Sequence, residues 1–288
     1  MKNVLVVSND NAGRKQALMH RKELHKFLLK RCQKFKFISI DELETTELDD
    51  FDTIFAIGGD GTVNKVVKSI TVNKAFDKVI GIISCGTANL LASKLGLPSS
   101  LNKTLKIIDN NKIKEVDVMN INGNYSILRC GIGYDAEIIC KTPQSLKNKF
   151  GYFAYFIAGI IFALRLTPKL YNITYDNKVL ETAATCLIIA NAGNMYKNWF
   201  SVSEKCEVDD GLLDVFILKA KNPVIFFLEF LLILFGIKKN NRRALYFKAK
   251  NIKIQNNWTV CHIDGEKNNL KKEININLIP EKIKMFCK

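Results

Sequence analysis

Metal-type spacings of histidine and cysteine are missing from this sequence. Only three of the 288 residues are histidine, and His20, His25 and His262 are too scattered for a His-based metal site. None of the eight cysteines forms a Cys-x-x-Cys pair or a zinc-finger spacing. These absences speak against a zinc enzyme. Most of the cysteines lie in apolar or strand-like runs, so buried free thiols in a reducing cytosol are expected.

Long apolar runs are missing as well. The longest, VIFFLEFLLILFGI at residues 224–237, has 14 residues and includes Glu229, whereas a helix needs about 20 apolar residues to span a bilayer. We therefore expect no transmembrane helix, and the run is either a buried core helix or an interfacial one. The N-terminus turns polar after four apolar residues, which is too early for a signal peptide, so export by that route is not expected.

Acidic residues are few relative to basic ones. The sequence has 28 Asp and Glu against 43 Lys and Arg, and the formal net charge is +15. Such an excess favours an anionic partner such as nucleic acid, phosphate or lipid headgroups. A composition bias with solvated lysines gives the same excess, so both interpretations stay open at this point.

The hydrophobic patterns that are present predict two domains. In the N-terminal part, apolar runs at 3–7, 34–40, 53–57 and 78–83 alternate with helical patterns, which is typical of βαβ units and a parallel sheet. From about Val116 onward, short β-rich runs follow one another without alternating helices. That density of strands predicts a sandwich or a barrel. The length of the chain also favours two domains.

The stretch IGGDGTVNKVV, residues 57–67, places glycines between a predicted strand and a predicted helix. Glycine lets the backbone come close to a ligand, and the N–H groups and dipole of a helix N-terminus attract phosphate oxygens. A tight turn that requires positive φ gives the same letters, so the glycines alone are weak evidence. Asp60 adds to them, because a carboxylate beside a phosphate cradle is unfavourable unless a cation such as Mg²⁺ or a substrate hydroxyl also lies there.

A second glycine turn, CGTANLLASKLGLP at residues 85–98, follows the next predicted strand. Residues 87–97, TANLLASKLGL, are expected to form a helix that is closed by Gly96 and Pro98. Gly86 permits the turn, and Thr87 can cap a helix or bind a phosphate. Two such turns at adjacent strand ends converge on one crevice, where open α/β sheets bind ligands. The sequence contains neither the P-loop pattern GxxxxGKS/T nor the dinucleotide pattern GxGxxG, so neither of those two site types is predicted.

Together these stretches resemble the diacylglycerol kinase catalytic domain of bacterial soluble lipid kinases, which are related to sphingosine kinases and more distantly to NAD kinases. The resemblance continues through GIGYDAEI at 131–138, VDDGLLDVFIL at 208–218 and IDGE at 263–266, in the family's order. It implies a kinase that transfers the γ-phosphate of ATP to a lipid hydroxyl, with diacylglycerol as the first candidate and phosphatidic acid as its product.

The resemblance also implies the fold and its division. An α/β nucleotide-binding domain with a parallel sheet is expected over residues 1–117, completed by residues 277–288. A β-sandwich domain for the lipid substrate is expected over residues 118–276.

Site residues are implied by the same motifs. The nucleotide-binding residues are Asn9, Gly13, Ser39, Gly58, Gly59, Asp60, Gly61, Thr62, Asn64 and Thr87. Glu207, Asp210 and the backbone of Leu212 match a structural Mg²⁺ site. Glu266 matches the proposed proton acceptor, with Asp264 beside it, and Asp60 is a metal organiser or an alternative base.

The partners that follow are ATP, Mg²⁺, a lipid and an anionic membrane surface, with no nucleic acid and with a homodimer left open. The enzyme is expected in the cytoplasm, docked peripherally through the apolar run at 224–237 and the adjacent KKNNRR at 238–243. Two alternatives remain. One is an NAD kinase-type enzyme with a soluble substrate, which shares the GGDGT turn. The other is a catalytically silent ATP- or membrane-binding protein, supported only by the unusual segment at 192–203.

Overall fold

Two compact units make up the described part of the chain. A computed structural model describes residues 1–10, 12, 16–142, 167–192, 194–196, 200–201, 207–220, 222, 224–226, 228–229, 242–256, 260–269 and 272–288. The N-terminal unit comprises Met1–Val118 with Pro280–Lys288, and the C-terminal unit comprises Met119–Ile279.

Helices alternate with strands in the first part of the chain, and strands dominate the second. In chain order the strands are β1 (Asn3–Ser8), β2 (Lys34–Ser39), β3 (Thr53–Gly58), β4 (Val79–Ser84), β5 (Ile113–Val116), β6 (Met119–Ile121), β7 (Asn124–Ser126), β8 (Arg129–Gly133), β9 (Lys169–Tyr175), β10 (Lys178–Ala184), β11 (Cys186–Ala190), β12 (Asn194–Tyr196), β13 (Phe200–Ser201), β14 (Leu213–Leu218), β15 (Ala244–Ala249), β16 (Asn251–Asn256), β17 (Val260–Ile263), β18 (Glu266–Asn269), β19 (Glu273–Leu278) and β20 (Ile283–Phe286). The α-helices are α1 (Gln16–Leu28), α2 (Asp60–Val72), α3 (Leu90–Lys94), α4 (Leu101–Asp109) and α5 (Tyr134–Lys141), and Leu43–Thr45 forms a 3₁₀ turn.

The N-terminal unit is built on a six-stranded sheet in the order β2-β1-β3-β4-β20-β5. All neighbouring strands from β2 to β20 are parallel, and only β5 is antiparallel, to β20. Every residue of β3 is buried, and so is every residue of β1 after the first. Such continuous burial is typical of parallel strands covered on both faces. The predicted α/β unit with a parallel sheet is confirmed.

The carboxyl ends of four neighbouring strands lie at one edge of this sheet. Ser8 pairs with Ser39, and Gly58 pairs with Ser84, each residue being the last of its strand. Ser8 is also in register with Ile57, one residue before the end of β3. Loops that follow these strands therefore begin side by side, as in other open α/β sheets.

Helix α2 is held by the apolar spacing seen in the sequence. Val63, Val66, Val67 and Ile70 are at most 2% exposed, and they recur at intervals of three and four residues, which places them on one face of a helix. The helix packs against β3. Burying each of these side chains contributes about 2 kcal/mol, so the packing of this face holds the first glycine turn at the end of β3.

The C-terminal unit is a β-sandwich, as predicted. One six-stranded sheet has the order β10-β9-β16-β19-β6-β7 and the other has the order β15-β14-β11-β8-β17-β18. The strand pairs in both sheets are antiparallel. The core combines buried side chains from both sheets, including Ile121, Tyr171, Ile173, Ile252, Ile254 and Ile276 from the first and Ile132, Leu187, Ile189, Leu213, Val215 and Ile217 from the second.

One helix boundary differs from the sequence-based expectation, and two segments that the sequence analysis singled out lie partly outside the described residues. The helix expected from Thr87 to Leu97 begins only at Leu90, because Asn89 has φ 49°, in the left-handed region, and α-helix cannot propagate through that conformation. Residues 230–241, which include most of the predicted membrane anchor, lie outside the described residues, as does half of the unusual segment at 192–203. The cysteines in the described residues are thiols, and five are buried while Cys32 and Cys140 are half-buried.

Candidate active site

The first glycine turn joins β3 to α2 at the carboxyl edge of the parallel sheet. Gly59 has extended backbone angles (φ −98°, ψ −169°), and its carbonyl accepts the N–H groups of Thr62 and Val63 at 3.0 and 3.1 Å. A Cβ on Gly58 would lie 2.2 Å from Oγ1 of Thr62. Thr62 is buried, so it packs on the strand end, and Gly58 is required for that packing.

The two glycine turns touch each other. Cys85 donates its N–H to the carbonyl of Gly58 at 2.8 Å, which extends the strand pairing beyond Ser84. A Cβ on Gly86 would lie 2.6 Å from Cα of Gly59 and 2.9 Å from Oδ1 of Asn89. Because backbone stands on the far side of this contact, only glycine allows the turns to come so close. Within the N-terminal unit, these contacts bring the two turns together at one place, as the sequence analysis predicted.

Asn89 closes the second turn and was missed as a site residue by the sequence analysis. Its Oδ1 accepts the N–H of Gly86 at 3.0 Å, and its Nδ2 donates to the carbonyl of Gly86 at 2.7 Å. The signal was present in the letters GTAN, since asparagine tolerates the left-handed conformation better than most residues do. Asn89 therefore sets the shape of the loop that carries Thr87, whose side chain is exposed.

Asp60 connects the two turns. It is the first residue of α2, and its Oδ1 accepts the N–H of Leu91 in α3 at 3.3 Å. A carboxylate in the first turn of a helix is favoured by the helix dipole. The side chain is half-buried, so a negative charge is held where both turns converge.

The side-chain amide of Asn64 carries an unsatisfied acceptor. Its Oδ1 is buried and has no hydrogen-bond partner among the described residues. Buried polar atoms in folded proteins are nearly always paired. An acceptor left open one helical turn after Asp60 fits a ligand that brings a hydroxyl or amino group.

The other predicted nucleotide contacts follow the same strand ends. Asn9 comes directly after β1, and its N–H is bonded to the carbonyl of Ile57 at 3.0 Å. Ser39 ends β2, and its N–H donates to Oε2 of Glu42 at 3.3 Å. Gly61 has open space where a Cβ would point. Gly13 lies outside the described residues.

Cys85, the cysteine within the second glycine turn, is a packing residue. Its Sγ lies 3.2 Å from Nδ1 of His20 in a buried contact. Burial raises the pKa of the Cys85 thiol to about 11 and lowers the pKa of His20. The thiol therefore stays protonated at neutral pH, which argues against a nucleophilic role.

In the C-terminal unit, residues 263–266 (IDGE) form the hairpin turn between β17 and β18. Asp264 and Gly265 have φ values of 50° and 89°, as a two-residue type I′ turn requires. Glu266 is the first residue of β18, pairs with Ile263, and is exposed. This carboxylate is placed where a substrate could reach it.

Whereas Glu266 is exposed, the carboxylate of Asp264 is hydrogen-bonded within the protein. It accepts hydrogen bonds from Oγ of Ser126 at 2.7 Å and from the N–H groups of Ile127, Leu128 and Arg129 at 3.2, 3.2 and 2.8 Å. Burial raises the pKa of Asp264, although these hydrogen bonds favour its charged form. A carboxylate enclosed by four donors fits an anchoring role better than that of a base, so Glu266 is the better candidate for proton transfer.

A lysine lies at the predicted structural Mg²⁺ site. Oδ2 of Asp210 is 2.5 Å from Nζ of Lys248, and Oδ1 accepts the N–H of Leu212 at 3.1 Å. The same ammonium is 3.9 Å from Oδ2 of Asp214, a fully buried carboxylate that also accepts the hydroxyl of Tyr246. Leu212 thus offers a donor to Asp210, and Glu207 is exposed. Both oxygens of Asp210 thus face donor groups, one an ammonium and the other a backbone N–H, and this set of contacts does not fit a Mg²⁺ site.

We expect Mg²⁺ without ATP to raise the melting temperature of wild type no more than that of Asp210→Asn, because Lys248 already neutralises the carboxylates. Lys248→Met should lower stability by about 2 kcal/mol, since Asp210 loses a charged hydrogen-bond donor and the buried Asp214 loses a positive charge 3.9 Å away. Lys248→Arg keeps the cation and serves as the control. Thermal unfolding with and without Mg²⁺ measures both effects. A Mg²⁺-dependent rise in wild type that Asp210→Asn removes would restore the metal site.

The contact between the turns gives a second prediction. Gly86→Ala must displace backbone at Gly59 and should lower the free energy of unfolding by about 2 kcal/mol. Gly61→Ala meets no atom within 4 Å and lies in a helical first turn, so stability should be unchanged or slightly raised. Thermal unfolding of the two variants makes a matched comparison. Equal melting temperatures would show that the turns do not depend on their close approach.

Comparison with known proteins matches both units. Residues 3–121 match the diacylglycerol kinase catalytic domain, and residues 129–287 match the YegS C-terminal NAD kinase beta sandwich-like domain. The chain is 30% identical to the diacylglycerol kinase of Bacillus subtilis over 76% of this chain and 72% of that protein. It is 29% identical to the diacylglycerol kinase of Staphylococcus haemolyticus over 78% of this chain and 68% of that protein.

Solved structures share the fold. A structure described as a diacylglycerol kinase of Bacillus anthracis has a TM-score of 0.77 at 20% identity and covers 99% of this chain and 97% of its own. An NAD kinase of Archaeoglobus fulgidus in complex with ATP has a TM-score of 0.56 at 12% identity and covers 99% of this chain and 93% of its own. Both domain matches and the identity to the Bacillus subtilis enzyme agree with the motifs described above. This chain therefore belongs to the diacylglycerol kinase family and is an ATP-dependent kinase.

Proposed function

We propose that this protein transfers the γ-phosphate of ATP to the hydroxyl group of a lipid, with diacylglycerol as the first substrate candidate and phosphatidic acid as the product. The observation that supports it most is the carboxylate of Asp60, held at the contact between the two glycine turns. The relatives named diacylglycerol kinase support the choice of lipid.

The glycine turns would hold the phosphates of ATP. In-line phosphoryl transfer requires positioning and charge neutralisation more than covalent chemistry. The backbone at Gly59, the start of α2 and the open space beside Gly61 suit a polyphosphate. Asn64 supplies an acceptor for a hydroxyl or amino group of the nucleotide. Ser39 ends β2, and Asn9 and Thr87 belong to loops that begin at the same sheet edge.

Asp60 would hold the Mg²⁺ that accompanies ATP. Magnesium in kinase sites is commonly bound by one or two carboxylates together with substrate phosphates, and Asp60 is the acidic residue that the glycine turns provide. Bound there, the ion would neutralise charge that develops on the transferred phosphoryl group. The carboxylate of Asp60 would orient the ion, while the N–H of Leu91 holds the carboxylate in place.

Glu266 is our candidate for the proton acceptor. The lipid hydroxyl must lose its proton as the phosphoryl group is transferred, and a positioned carboxylate can take it. Glu266 is exposed at the start of β18, directly after a rigid two-residue turn. Asp264 in that turn holds the turn in place through its four hydrogen bonds.

We further propose that the enzyme is cytoplasmic and docks on anionic membranes. None of the described helices is long and apolar enough to cross a bilayer. Val224 and Leu228 are 66% and 52% exposed, while Phe226 is buried against Tyr134 with ring centroids 4.4 Å apart. The start of the apolar segment at 224–237 thus has one buried and one exposed side, as an interfacial segment requires.

Docking should therefore strengthen with anionic lipid and weaken with salt. Changing Lys238, Lys239 and Arg242 together to Ser should reduce vesicle binding, since each basic residue near the surface contributes about 1 kcal/mol. Arg243 is kept because it lies 3.9 Å from the buried Glu229. Cosedimentation with vesicles measures the effect. The control for net charge is a variant in which the exposed Lys103, Lys106 and Lys112, in and just after α4, are changed to Ser. Equal loss of vesicle binding in both variants would refute a localised anchor.

Lipid specificity can be tested with labelled ATP and thin-layer separation of products. Diacylglycerol, a sphingosine-type lipid and NAD are offered separately to the same enzyme. We expect label in the diacylglycerol product. Label in NAD alone would instead identify a soluble-substrate kinase, and the absence of label in all three products would indicate an ATP- or membrane-binding protein without this activity.

A further inference from the structure

Three charged or titratable side chains form a buried network in the C-terminal unit. Nε2 of His262 lies 2.6 Å from Oδ2 of Asp135, and Nη1 of Arg129 lies 3.9 Å from Oδ1 of the same carboxylate. His262 is fully buried, and the side chains of Asp135 and Arg129 are 9% and 12% exposed. Such groups destabilise a core unless they are mutually paired. The mechanism proposed above assigns none of them a role.

The contacts of His262 define which nitrogen carries the proton. The N–H of Gly265 donates to Nδ1 at 3.3 Å, so Nδ1 is an acceptor, and the hydrogen of Nε2 is donated to Asp135. Burial by itself favours the protonated form of Asp135, but the charge of Arg129 and the contact with His262 outweigh it and lower the pKa of Asp135 to about 2. Asp135 is therefore a charged acceptor at neutral pH, which fixes both the orientation and the tautomer of the ring.

Gly131 makes this geometry possible. It pairs directly with His262 across β8 and β17. A Cβ on Gly131 would lie 2.1 Å from Oδ2 of Asp135 and 2.2 Å from Nε2 of His262. The imidazole thus reaches Asp135 in α5 by crossing a strand position that has no side chain.

The network ends on the turn that precedes Glu266. Gly265 is bonded to His262 through its N–H, and the N–H of Asp264 donates to the carbonyl of Arg129 at 2.9 Å. The N–H of Arg129 in turn donates to the carboxylate of Asp264. Both residues of the turn are therefore connected to the network, and Glu266 is the next residue along the chain.

We propose that His262 is a positioning residue, which sets the Asp264–Gly265 turn through its bond to Gly265 and thereby directs the carboxylate of Glu266 toward the substrate hydroxyl. Asp135 and Arg129 hold the imidazole for this task. The proposal rests on the proposed role of Glu266 as proton acceptor. A small misplacement of a reacting group can lower a rate by up to about 100-fold, so the effect on turnover should be measurable.

Two substitutions of His262 separate its two contacts. In His262→Asn, the amide oxygen can take the place of Nδ1 and accept the N–H of Gly265, but the contact with Asp135 is lost. In His262→Gln, the amide nitrogen can reach the place of Nε2 and donate to Asp135, but the acceptor for Gly265 is lost. We expect His262→Asn to be the less stable variant, with kcat within about 3-fold of wild type, and His262→Gln to lose kcat by about 10-fold or more with the KM for ATP unchanged.

Melting temperature and kcat are measured for both variants with the full chain. A positioning role predicts that the more stable variant is the slower one. If His262→Gln keeps the kcat of wild type, or if kcat in both variants simply follows the melting temperature, the positioning role is overturned.

A double-mutant cycle with Glu266→Gln tests whether the effect passes through Glu266. We expect His262→Gln to change the residual turnover of Glu266→Gln by less than about 2-fold, because the carboxylate that it positions is already gone. Multiplication of the two losses would overturn the proposal while leaving Glu266 as proton acceptor intact. Wild-type turnover in Glu266→Gln alone would instead remove the proposed function of Glu266.

Discussion

Asp60→Asn is expected to lower phosphoryl transfer by about 100-fold or more while the protein stays folded. Asparagine retains an oxygen that can accept the N–H of Leu91, now 3.3 Å from Oδ1 of Asp60, so the contact between the turns should survive. What is lost is the negative charge that would orient Mg²⁺ on the phosphates, and losses of about 3 kcal/mol are typical when one electrostatic contributor to a transition state is removed. Steady-state turnover with saturating ATP and lipid measures the effect.

Asp77→Asn is the matched control for this charge change. Asp77 is in the same unit, and its side chain is 71% exposed in a contact with Lys78. It should keep the turnover of wild type. If Asp60→Asn melts like wild type and also turns over like wild type, Asp60 is only a residue of the helix start.

Glu266→Gln is expected to lower turnover by about 100-fold while ATP binding stays unchanged. Glutamine has nearly the same size as glutamate but cannot take a proton from the lipid hydroxyl, and general-base catalysis typically contributes about 10²- to 10⁴-fold. Because Glu266 is exposed and lies at the first position of β18, the fold should not depend on its charge. Turnover and equilibrium binding of ATP are measured on the same preparation.

Glu181→Gln provides the control in the same unit, because Glu181 is an exposed residue of β10. Its turnover should equal that of wild type. An equal loss of ATP affinity and turnover in Glu266→Gln would indicate a structural role, and no loss in either would remove the residue from the mechanism.

Local patterns were sufficient to predict the elements that carry the phosphate cradle. Apolar residues every three to four positions predict α2, and the glycines at 58, 59 and 86 predict turns at adjacent strand ends. The start of helix α3 was predicted at Thr87, which is three residues too early. The helix begins at Leu90 because Asn89 is held in a left-handed conformation by its two hydrogen bonds to Gly86. The tolerance of asparagine for the left-handed conformation was a signal for this interruption, but the apolar spacing of the helix outweighed it in the prediction.

Contacts between distant residues explain what the sequence could not show. Lys248 and Asp210 are 38 positions apart, and only the pairing of β14 with β15 brings the lysine to the predicted metal site. His262 and Asp135 are 127 positions apart, and their contact depends on the missing side chain of Gly131. The order of the family's motifs indicated that the stretches around Asp210 and His262 belong to functional regions. The charged partner of each residue is set by the register of the strands, which the sequence does not show.

The most direct test of the central claim is to quantify ADP and phosphorylated lipid in one reaction of the wild-type protein with ATP, Mg²⁺ and vesicles that contain diacylglycerol and anionic phospholipid. If the glycine turns and Asp60 serve lipid phosphorylation, one phosphorylated lipid forms for each ADP, and Asp60→Asn loses both products together. ADP released without phosphorylated lipid, or equal amounts of phosphorylated lipid from wild type and Asp60→Asn, would contradict the account.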